Sequence, residues 1–375
     1  MTTDLDFTLA QLADENKPVS RVNLTILSDL SRAHTESFKT VWATVGPARR
    51  NEIISAMVEQ AEADIHLNFH AILRNCLDDP QATVRRLAVE GLWEDERPTL
   101  IQPLLGVLEK DTDPEVRAVA ATSLGRFVLL GALGDIDSTS SRKVEGALRA
   151  TWLRGDEAVD VRRRALESLA YSDDEDISSF IETAYFDEND AMRQSAILAM
   201  GRTAEPRWAR YVLNELNSVT APMRFEAATS AGELRLTGAL KTLVRLLDDP
   251  DNSVREAAAL ALGKIGGKEA QRVLQAVAQS EEDRLSEAAQ EALEELAFNS
   301  DELEESALID FTPEPSVATG ADGEADWEEE LEADDEDYGD EFAESNEDDD
   351  GWDDEEDDEL GWIDEEDEGL EDEDS

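Results

Sequence analysis

Two histidines in the N-terminal half, His66 and His70, have the spacing that metal ligands take on an α-helix. They stand four residues apart in "DIHLNFHAIL", which places both side chains on one helical face within reach of one zinc ion. A helical zinc-hydrolase motif also needs a glutamate directly after the first histidine. Leu67 occupies that position, and the third histidine of the chain is His34. We therefore predict no metal site.

Cysteine and acid–base chemistry have no better support. The single cysteine, Cys76, shares an apolar helical stripe with Phe69 and Ile72, where cysteine packs as a small hydrophobic residue. The sequence contains no recognisable nucleophile–base pair or phosphate-binding loop, so we predict no catalytic residue, no cofactor and no enzymatic activity. A lone cysteine suits a reducing compartment, and the acidic N-terminus lacks the plan of a signal peptide. We expect a cytoplasmic protein.

Arginine has the most regular spacing of the charged residues. Seven segments align, and their second residues, from Val84 to Leu285, are separated by 32, 45, 31, 31, 31 and 31 residues. The segments are "TVRRLAVEGLW", "EVRAVAATSLG", "DVRRRALESLA", "AMRQSAILAMG", "PMRFEAATSAG", "SVREAAALALG" and "RLSEAAQEALE". The third residue of the first six segments is arginine. This column of arginines could bind a row of carboxylate or phosphate ligands, or it could form a structural ladder, because guanidinium pairs well with both kinds of anion. It comprises Arg85, Arg117, Arg162, Arg193, Arg224 and Arg255.

The elements that carry the arginine column are helices. Alanine follows each aligned position by four residues, and leucine, methionine or alanine follows by eight, so the three positions form one helical stripe. A second apolar helix precedes each segment, as in "GALKTLVRLLDD". One such hairpin cannot bury its apolar face alone, whereas a stack of hairpins can. The repeat therefore predicts an all-α fold, an α-solenoid of helix–turn–helix units.

Local signals predict where these helices begin and end. Asp113 followed by Pro114, like the two "DDP" motifs, predicts the start of a helix, because aspartate caps the helix N-terminus and proline is favoured at the first helical position. The 45-residue step contains about fourteen extra residues around "LGDIDSTSSRKVEG", which we predict to be a loop between units. Glycines that directly follow the stripe are predicted to close helices in the left-handed conformation; they are Gly125, Gly201, Gly232 and Gly263.

These units resemble HEAT repeats, specifically the short form also found in phycobilisome bilin lyases. The resemblance implies that the arginine column forms a ladder with acids of adjacent repeats, and that the second helix of each unit lines a concave docking face. We divide the chain into an N-terminal arm (1–17), degenerate N-terminal capping helices (18–62), about seven HEAT-like units (63–299) and an acidic tail (300–375). The same resemblance keeps open a bilin-lyase-like enzyme or enzyme subunit.

Charge is distributed very unevenly between these regions. The formal net charge is −58, and residues 301–375 contain 40 acids and no Lys or Arg, which leaves a net of −18 on residues 1–300. Nucleic acid and anionic membranes are disfavoured, since both need a basic face. The longest apolar run, "FVLLGALG", is too short to span a bilayer. Three further arginines, Arg86, Arg163 and Arg164, form either a locally basic face together with Arg49 and Arg50 or scattered solvated side chains.

The tail combines dense acids with isolated aromatic residues. Self-repulsion predicts an extended, disordered segment, but solubility alone does not explain the near-copies "GWDDEE" and "GWIDEE". The tail could be a solubilising bristle, a ligand for a basic partner that uses its aromatics as anchors, or an autoinhibitory segment that covers the chain's own arginines. The candidate anchors are Trp327, Tyr338, Phe342, Trp352 and Trp362.

The sequence as a whole predicts a non-catalytic scaffold or adaptor for protein–protein interaction, and we expect a monomer. Its tail would recruit partners with basic surfaces or would mimic a polyanion. The enzyme alternative and a regulatory HEAT protein with an autoinhibitory tail remain open at this point. A solenoid that binds nucleic acid directly is a third and less favoured class, because residues 1–300 carry a net negative charge.

Overall fold

The computed structural model describes the backbone of residues 4–280 and 282–307, and the side chains as far as residue 298. The described chain is helical and contains no β-strand. Its helices, apart from three short 3₁₀ turns, are α1 (Asp4–Ala13), α2 (Arg21–Thr25), α3 (Arg32–Trp42), α4 (Pro47–Ala63), α5 (His70–Cys76), α6 (Ala82–Glu90), α7 (Ile101–Lys110), α8 (Pro114–Leu133), α9 (Ser138–Leu153), α10 (Val159–Leu169), α11 (Ile177–Tyr185), α12 (Asp190–Arg202), α13 (Ala209–Glu215), α14 (Ala221–Glu233), α15 (Leu240–Leu246), α16 (Asn252–Ile265), α17 (Gly267–Val277) and α18 (Asp283–Ala307).

From α5 onward the helices pair into seven hairpins that stack in chain order. The first helix of each hairpin packs on its own second helix, and each second helix packs on the second helix of the next hairpin. The predicted stripe forms the contact. Its three positions are buried in every repeat, with the exception of Leu293 in the last repeat, which is partly exposed. The all-α solenoid predicted from the repeat is therefore confirmed. Its second helices are α6, α8, α10, α12, α14, α16 and α18.

The four glycines that follow the stripe have a different role from the predicted one. They lie inside α8, α12, α14 and α16, and none has a positive φ. A Cβ at Gly201 would lie 2.9 Å from Cα of Ser230 on the next second helix, and a Cβ at Gly263 would lie 2.8 Å from Cα of Ala292. The prediction of left-handed helix ends was wrong. These glycines let neighbouring second helices approach at backbone distance.

Serine reinforces two of these close approaches. Ser168 Oγ donates a 2.9 Å hydrogen bond to the Ala121 carbonyl, and Ser230 Oγ donates a 2.8 Å bond to the Ile197 carbonyl. Each acceptor lies one helical turn before the glycine against which the serine packs. The contact thus combines van der Waals packing with a buried hydrogen bond between repeats.

The predicted loop in the long repeat is also wrong. The extra residues extend α8 to Leu133 and form the start of α9, leaving a short connection between the helices. Gly134 adopts φ 83° and ends α8, and Asp137 accepts hydrogen bonds from the backbone N–H of Thr139 and Ser140 to begin α9. The polar "DSTSS" that resembles a loop is a helix cap followed by a first turn. Two lengthened helices absorb the insertion.

Helix α8 is the one described helix that is long and apolar enough to cross a bilayer by composition. In the fold its residues Ala120, Leu124 and Phe127 are buried, and the helix packs against α6, α7, α9 and α10. Burial among neighbouring helices explains its apolar composition.

The ends of the array contain helices within both predicted terminal regions. Helix α1, in the predicted arm, buries Leu5, Leu9 and Leu12 and packs on α3. Helix α18 passes the predicted boundary at residue 300 and continues to Ala307. The remainder of the predicted acidic tail lies outside the described residues.

Candidate partner-binding groove

A groove of about 790 Å³ crosses the second helices α6, α8 and α10. Apolar side chains of Val89, Ala118 and Val119 line it together with charged residues. Because the groove spans three consecutive repeats, its shape depends on the stacking of the array. Its other lining residues are Arg86, Glu90, Trp93, Glu115, Thr122, Ser123, Arg126, Asp160, Arg163 and Arg164.

The predicted basic face falls on this groove. Arg86 Nη1 contacts Glu90 Oε1 at 2.6 Å, and Arg164 Nη1 contacts Glu167 Oε2 at 2.7 Å. Arg163 contacts Asp160 at 2.6 Å and Glu167 at 3.5 Å. The three predicted arginines are therefore brought together, but each is paired with an acid. The groove rim is an ion-pair network rather than a purely basic surface.

Arg126 is a further cation of the groove, which the repeat pattern does not indicate. Its Nη1 donates to the backbone carbonyl of Trp93, while Nε and Nη2 are buried without a hydrogen-bond partner in the described structure. Burial lowers the pKa of Arg126 to about 10, although Asp95 and Glu96 act in the opposite direction. The buried hydroxyl of Ser123, one helical turn earlier, also has no partner among the described residues.

Trp93 forms an exposed aromatic edge of the same groove. Its side chain is 57% exposed, which is unusual for so large an apolar residue. It follows Leu92 in the repeat register, at the position that Gly125, Gly201 and other glycines occupy in later units. A tryptophan where the pattern supplies glycine was the sequence signal that could have revealed it.

A buried acid holds the loop that follows Trp93. The side chain of Asp95 is buried and accepts hydrogen bonds from Arg74 Nε and Arg97 Nε, each at 2.7 Å. Burial acts to raise the pKa of Asp95, but the bonds from Arg97 and Arg74 outweigh it and hold that pKa well below its usual range. The ionised Asp95 thus fixes the chain beside the groove.

The two histidines do not share a helical face. Helix α5 begins at His70, and His66 lies in the preceding turn with its side chain exposed. His70 Nδ1 lies 3.8 Å from Asp95, and burial lowers the pKa of His70. Within residues 4–280 and 282–298, no group of three or more His, Cys, Asp or Glu side chains is arranged to hold a metal ion. Cys76 is buried, and burial raises its pKa.

The arginine column connects successive repeats. Arg85 uses Nε and Nη2 to contact Asp111 of the next repeat at 2.6 and 2.7 Å. Arg224 contacts Asp249 in the same way, at 2.7 Å for both bonds. Nη1 of each arginine donates to a backbone carbonyl six residues earlier, at Asp79 or Ser218. One guanidinium therefore joins its own inter-helix turn to the following hairpin.

The other members of the column vary around this arrangement. Arg117 contacts Glu157, and Arg255 contacts Glu282. Arg162 instead donates to the Trp152 carbonyl, and its guanidinium lies 5.0 Å from the centre of that indole ring. These contacts support the structural interpretation of the column.

Arg193 marks a gap in these inter-repeat contacts. It pairs with Asp190 of its own helix. Ser218 stands where Asp111 and Asp249 stand in other repeats, so the following hairpin offers Arg193 no carboxylate at that position.

The series of inter-repeat contacts begins before the aligned column, at Arg50, which the sequence placed only in a possible basic face. Arg50 donates to Asp79 Oδ2 at 3.0 Å and to the carbonyls of Val45 and Trp42. It therefore repeats the ladder contact in the degenerate N-terminal region. The neighbouring Arg49 is 5% exposed and donates to the Leu12 carbonyl of α1. Both arginines serve packing.

The predicted tail anchors Trp327, Tyr338, Phe342, Trp352 and Trp362 lie outside the described residues, and their roles remain predictions. The groove and the ladder both lie within the described residues.

Comparison with known proteins identifies the family. The model for HEAT repeats matches residues 71–143, 147–216 and 209–294. A search of curated proteins gives no match. Solved structures that are similar include the complex of CpcE and CpcF of phycocyanin lyase from a Nostoc species, with 18% identity over 63% of this chain and 94% of that chain and a TM-score of 0.45.

Two further solved structures are also similar. Human deoxyhypusine hydroxylase is 18% identical over 79% of this chain and 96% of that chain, with a TM-score of 0.32. A designed armadillo repeat protein is 18% identical over 60% and 98%, with a TM-score of 0.29. The family match, together with the stacked hairpins, shows that the chain belongs to the HEAT repeat family.

Proposed function

We propose that this protein is a cytoplasmic, non-catalytic scaffold that holds a partner protein in the groove of α6, α8 and α10. Its acidic tail would recruit partners with basic surfaces. The observation that carries the proposal is the exposed Trp93 at the edge of a groove formed by three repeats. Exposed aromatic side chains beside an apolar cleft are characteristic of binding hot spots.

The composition of the groove suits a protein segment. Val89, Ala118 and Val119 offer a small apolar floor, on which one or two side chains of a partner can be buried at about 25 cal/mol per Å² of apolar surface. Arg86 and Arg164, each in an ion pair with an acid, line the same groove. An apolar centre with a polar rim is the general organisation of protein interfaces.

The charged groups of the groove favour binding over proton transfer. Arg86, Arg163 and Arg164 are each held by a carboxylate within hydrogen-bond distance, so their side chains are fixed in ion pairs. We find no side chain placed as a nucleophile beside a base in the groove. This supports a role in recognition.

The proposed role of the tail depends on its composition. Its 40 acids would attract basic proteins over a distance of about 10 Å at moderate salt. The repeated Gly-Trp pairs at Trp352 and Trp362 would add short-range apolar contacts, each contributing roughly 1–2 kcal/mol. Several weak anchors on one chain act together through their high effective concentration.

Affinity capture with the full chain tests both parts. The baits are wild type, Trp93→Ala, the double variant Trp352→Ala with Trp362→Ala, and Phe186→Ala as a control. Phe186 is 72% exposed and lies outside the groove. Captured proteins are compared by mass spectrometry at low and moderate salt.

Each part of the proposal predicts its own set of losses. Groove partners are lost with Trp93→Ala and kept by Phe186→Ala, whereas basic partners that decline with salt are lost with the double tail variant. The tail variant keeps all 40 acids, so undiminished capture would refute recognition by the indoles. Undiminished capture by Trp93→Ala would refute the groove.

A further inference from the structure

The ladder arginines provide an internal standard for how this fold uses a guanidinium. In Arg85 and Arg224, Nη1 donates to a backbone carbonyl, while Nε and Nη2 together hold one carboxylate. Arg117 follows the same division, with Nε and Nη2 on Glu157 at 3.2 and 2.5 Å. The Nε–Nη2 edge is the one that chelates an acid in all three.

Arg126 resembles the ladder arginines in its bond to a backbone carbonyl but differs from them because no carboxylate of the described structure accepts from its Nε–Nη2 edge. Its Nη1 donates to the Trp93 carbonyl, and no described side chain accepts a hydrogen bond from Nε or Nη2. Asp95, a buried acid whose charge acts on Arg126, already accepts bonds from Arg74 and Arg97. A buried guanidinium edge without an acceptor is unfavourable, and a carboxylate would relieve that cost.

The residues near this edge indicate what kind of ligand could bind to it. Arg126 lines the groove beside Ser123, whose buried hydroxyl also has no partner in the described structure, and its main-chain bond runs to the exposed Trp93. The groove lining contains four arginines and three acids, and Glu167 pairs with two of these arginines, so the charges nearly balance and Arg126 is the lining arginine without a carboxylate bound to it among the described residues. These features favour an anion over a cation.

We propose that Arg126 is the receptor for a carboxylate of a bound protein segment, an Asp or Glu side chain that follows or precedes a large apolar residue. The carboxylate oxygens would accept hydrogen bonds from Nε and Nη2 of Arg126, and the Ser123 hydroxyl would donate a further hydrogen bond to them. The apolar neighbour would pack on Trp93. Both nitrogens are covered in the unbound protein, so the side chains that cover them move aside on binding while Nη1 keeps its bond to the Trp93 carbonyl, a side-chain change that is common at interfaces. The inference rests on the proposed function of the groove.

This mode of binding has an unusual salt dependence. The short Arg126–carboxylate contact is buried and weakly screened, while the net charge of −58 repels an acidic peptide at long range. Affinity is therefore expected to stay constant or to rise as salt increases. Capture of basic partners by the acidic tail should show the opposite trend.

Peptide selection on the full-length protein tests the proposal. Random seven-residue peptides are selected by display, the enriched sequences are synthesised with a fluorescent label, and their affinity is measured by anisotropy. Each peptide is tested against Arg126→Lys, Arg126→Gln, Trp93→Ala and the control Arg142→Gln, whose arginine is exposed on α9. Circular dichroism confirms that each variant is folded.

We expect the enriched peptides to contain Asp or Glu beside a large apolar residue. Arg126→Lys should weaken binding at least tenfold, since lysine keeps the charge but cannot chelate side-on, and Arg142→Gln should have no effect. An Asp→Asn peptide should lose as much affinity as Arg126→Gln, with no further loss when the two changes are combined.

Three outcomes would overturn the inference. Enriched peptides without acids, or peptides that bind Arg126→Lys and wild type equally, would refute the carboxylate receptor. If such peptides still lose affinity with Trp93→Ala, the groove remains a binding site and the proposed function stands. Selection of no peptide also counts against the inference, and the Trp93→Ala capture experiment then decides the proposed function separately.

Discussion

Replacing Gly201 with alanine should weaken the junction between the fourth and fifth hairpins. The added Cβ would lie 2.7 Å from Ser230 Oγ and 2.9 Å from both Cα and Cβ of Ser230, so the α14 backbone must move. Overpacking of this kind costs roughly 1–3 kcal/mol. The shift also strains the bond from Ser230 Oγ to the Ile197 carbonyl, a buried hydrogen bond worth about 1 kcal/mol.

The same substitution at Gly106 is the matched control. Gly106 lies inside α7, and nothing stands within 4 Å of the position that its Cβ would take. Alanine there should stabilise the protein by about 0.5–1 kcal/mol, because it is the better helix former. At Gly201 this gain is subtracted from the packing cost, which leaves a net destabilisation of about 2 kcal/mol.

Urea denaturation followed by circular dichroism measures the difference. Gly201→Ala should lower the midpoint and broaden the transition, since stability in a repeat array depends on contacts between neighbouring units. Gly106→Ala should raise the midpoint. If Gly201→Ala is as stabilising as Gly106→Ala, the close approach of α12 and α14 is not a constraint and the packing argument is refuted.

Other predictions follow from the ladder and from one buried acid. Arg224→Met should destabilise the protein by about 3 kcal/mol in urea denaturation, because it leaves the buried Asp249 carboxylate unpaired. Arg193→Met, which removes no contact to a carboxylate of the next repeat, should cost about 1 kcal/mol, and equal losses would contradict the inter-repeat role. Burial and the neighbouring Glu167 raise the pKa of Glu226 to about 7 from 4.5, so the folded state holds a proton that the unfolded state has lost, and stability should fall as pH rises from about 4.5 to 7. Glu226→Gln should therefore be more stable than wild type by about 3 kcal/mol at pH 8 and equal to it near pH 4.5, whereas a constant difference across this range would contradict the assignment.

The repeat register predicted the parts of the fold that depend on local pattern. The stripe from Val84 through Ala88 to Leu92 recurs in every unit, and burial of that stripe is what stacks the hairpins. The arginine column was visible for the same reason, because a ladder needs one residue at one position of each repeat.

Features that depend on distances between repeats could not be found in this way. A glycine near a helix end suggests a cap, but Gly201 and Gly263 are required by the neighbouring helix, which the local sequence does not reveal. The acids that pair with the arginine column could not be recognised from the local sequence either. Asp79 and Asp249 resemble helix-start residues, yet their carboxylates accept hydrogen bonds from arginines of the preceding unit.

The groove was predicted only in part. Arg86, Arg163 and Arg164 stood out because they are additional to the column, but their acid partners lie three or four residues away in the same helices and were not weighed. Arg126 lies outside the column register, and its importance comes from a bond to Trp93 across 33 residues. Such a contact can be recognised only when α6 and α8 are placed side by side.

Site-specific photocrosslinking tests the central claim, that the groove holds a partner, most directly. A photoreactive benzoylphenylalanine replaces Thr122, which is exposed and lines the groove, or Lys241, which is exposed on α15 outside it. The full-length protein is irradiated in native lysate, and adducts are identified by mass spectrometry. The account predicts a discrete partner adduct from position 122, lost in combination with Trp93→Ala, and none from position 241. Equal adducts from both positions, or adducts from position 241 alone, would contradict it.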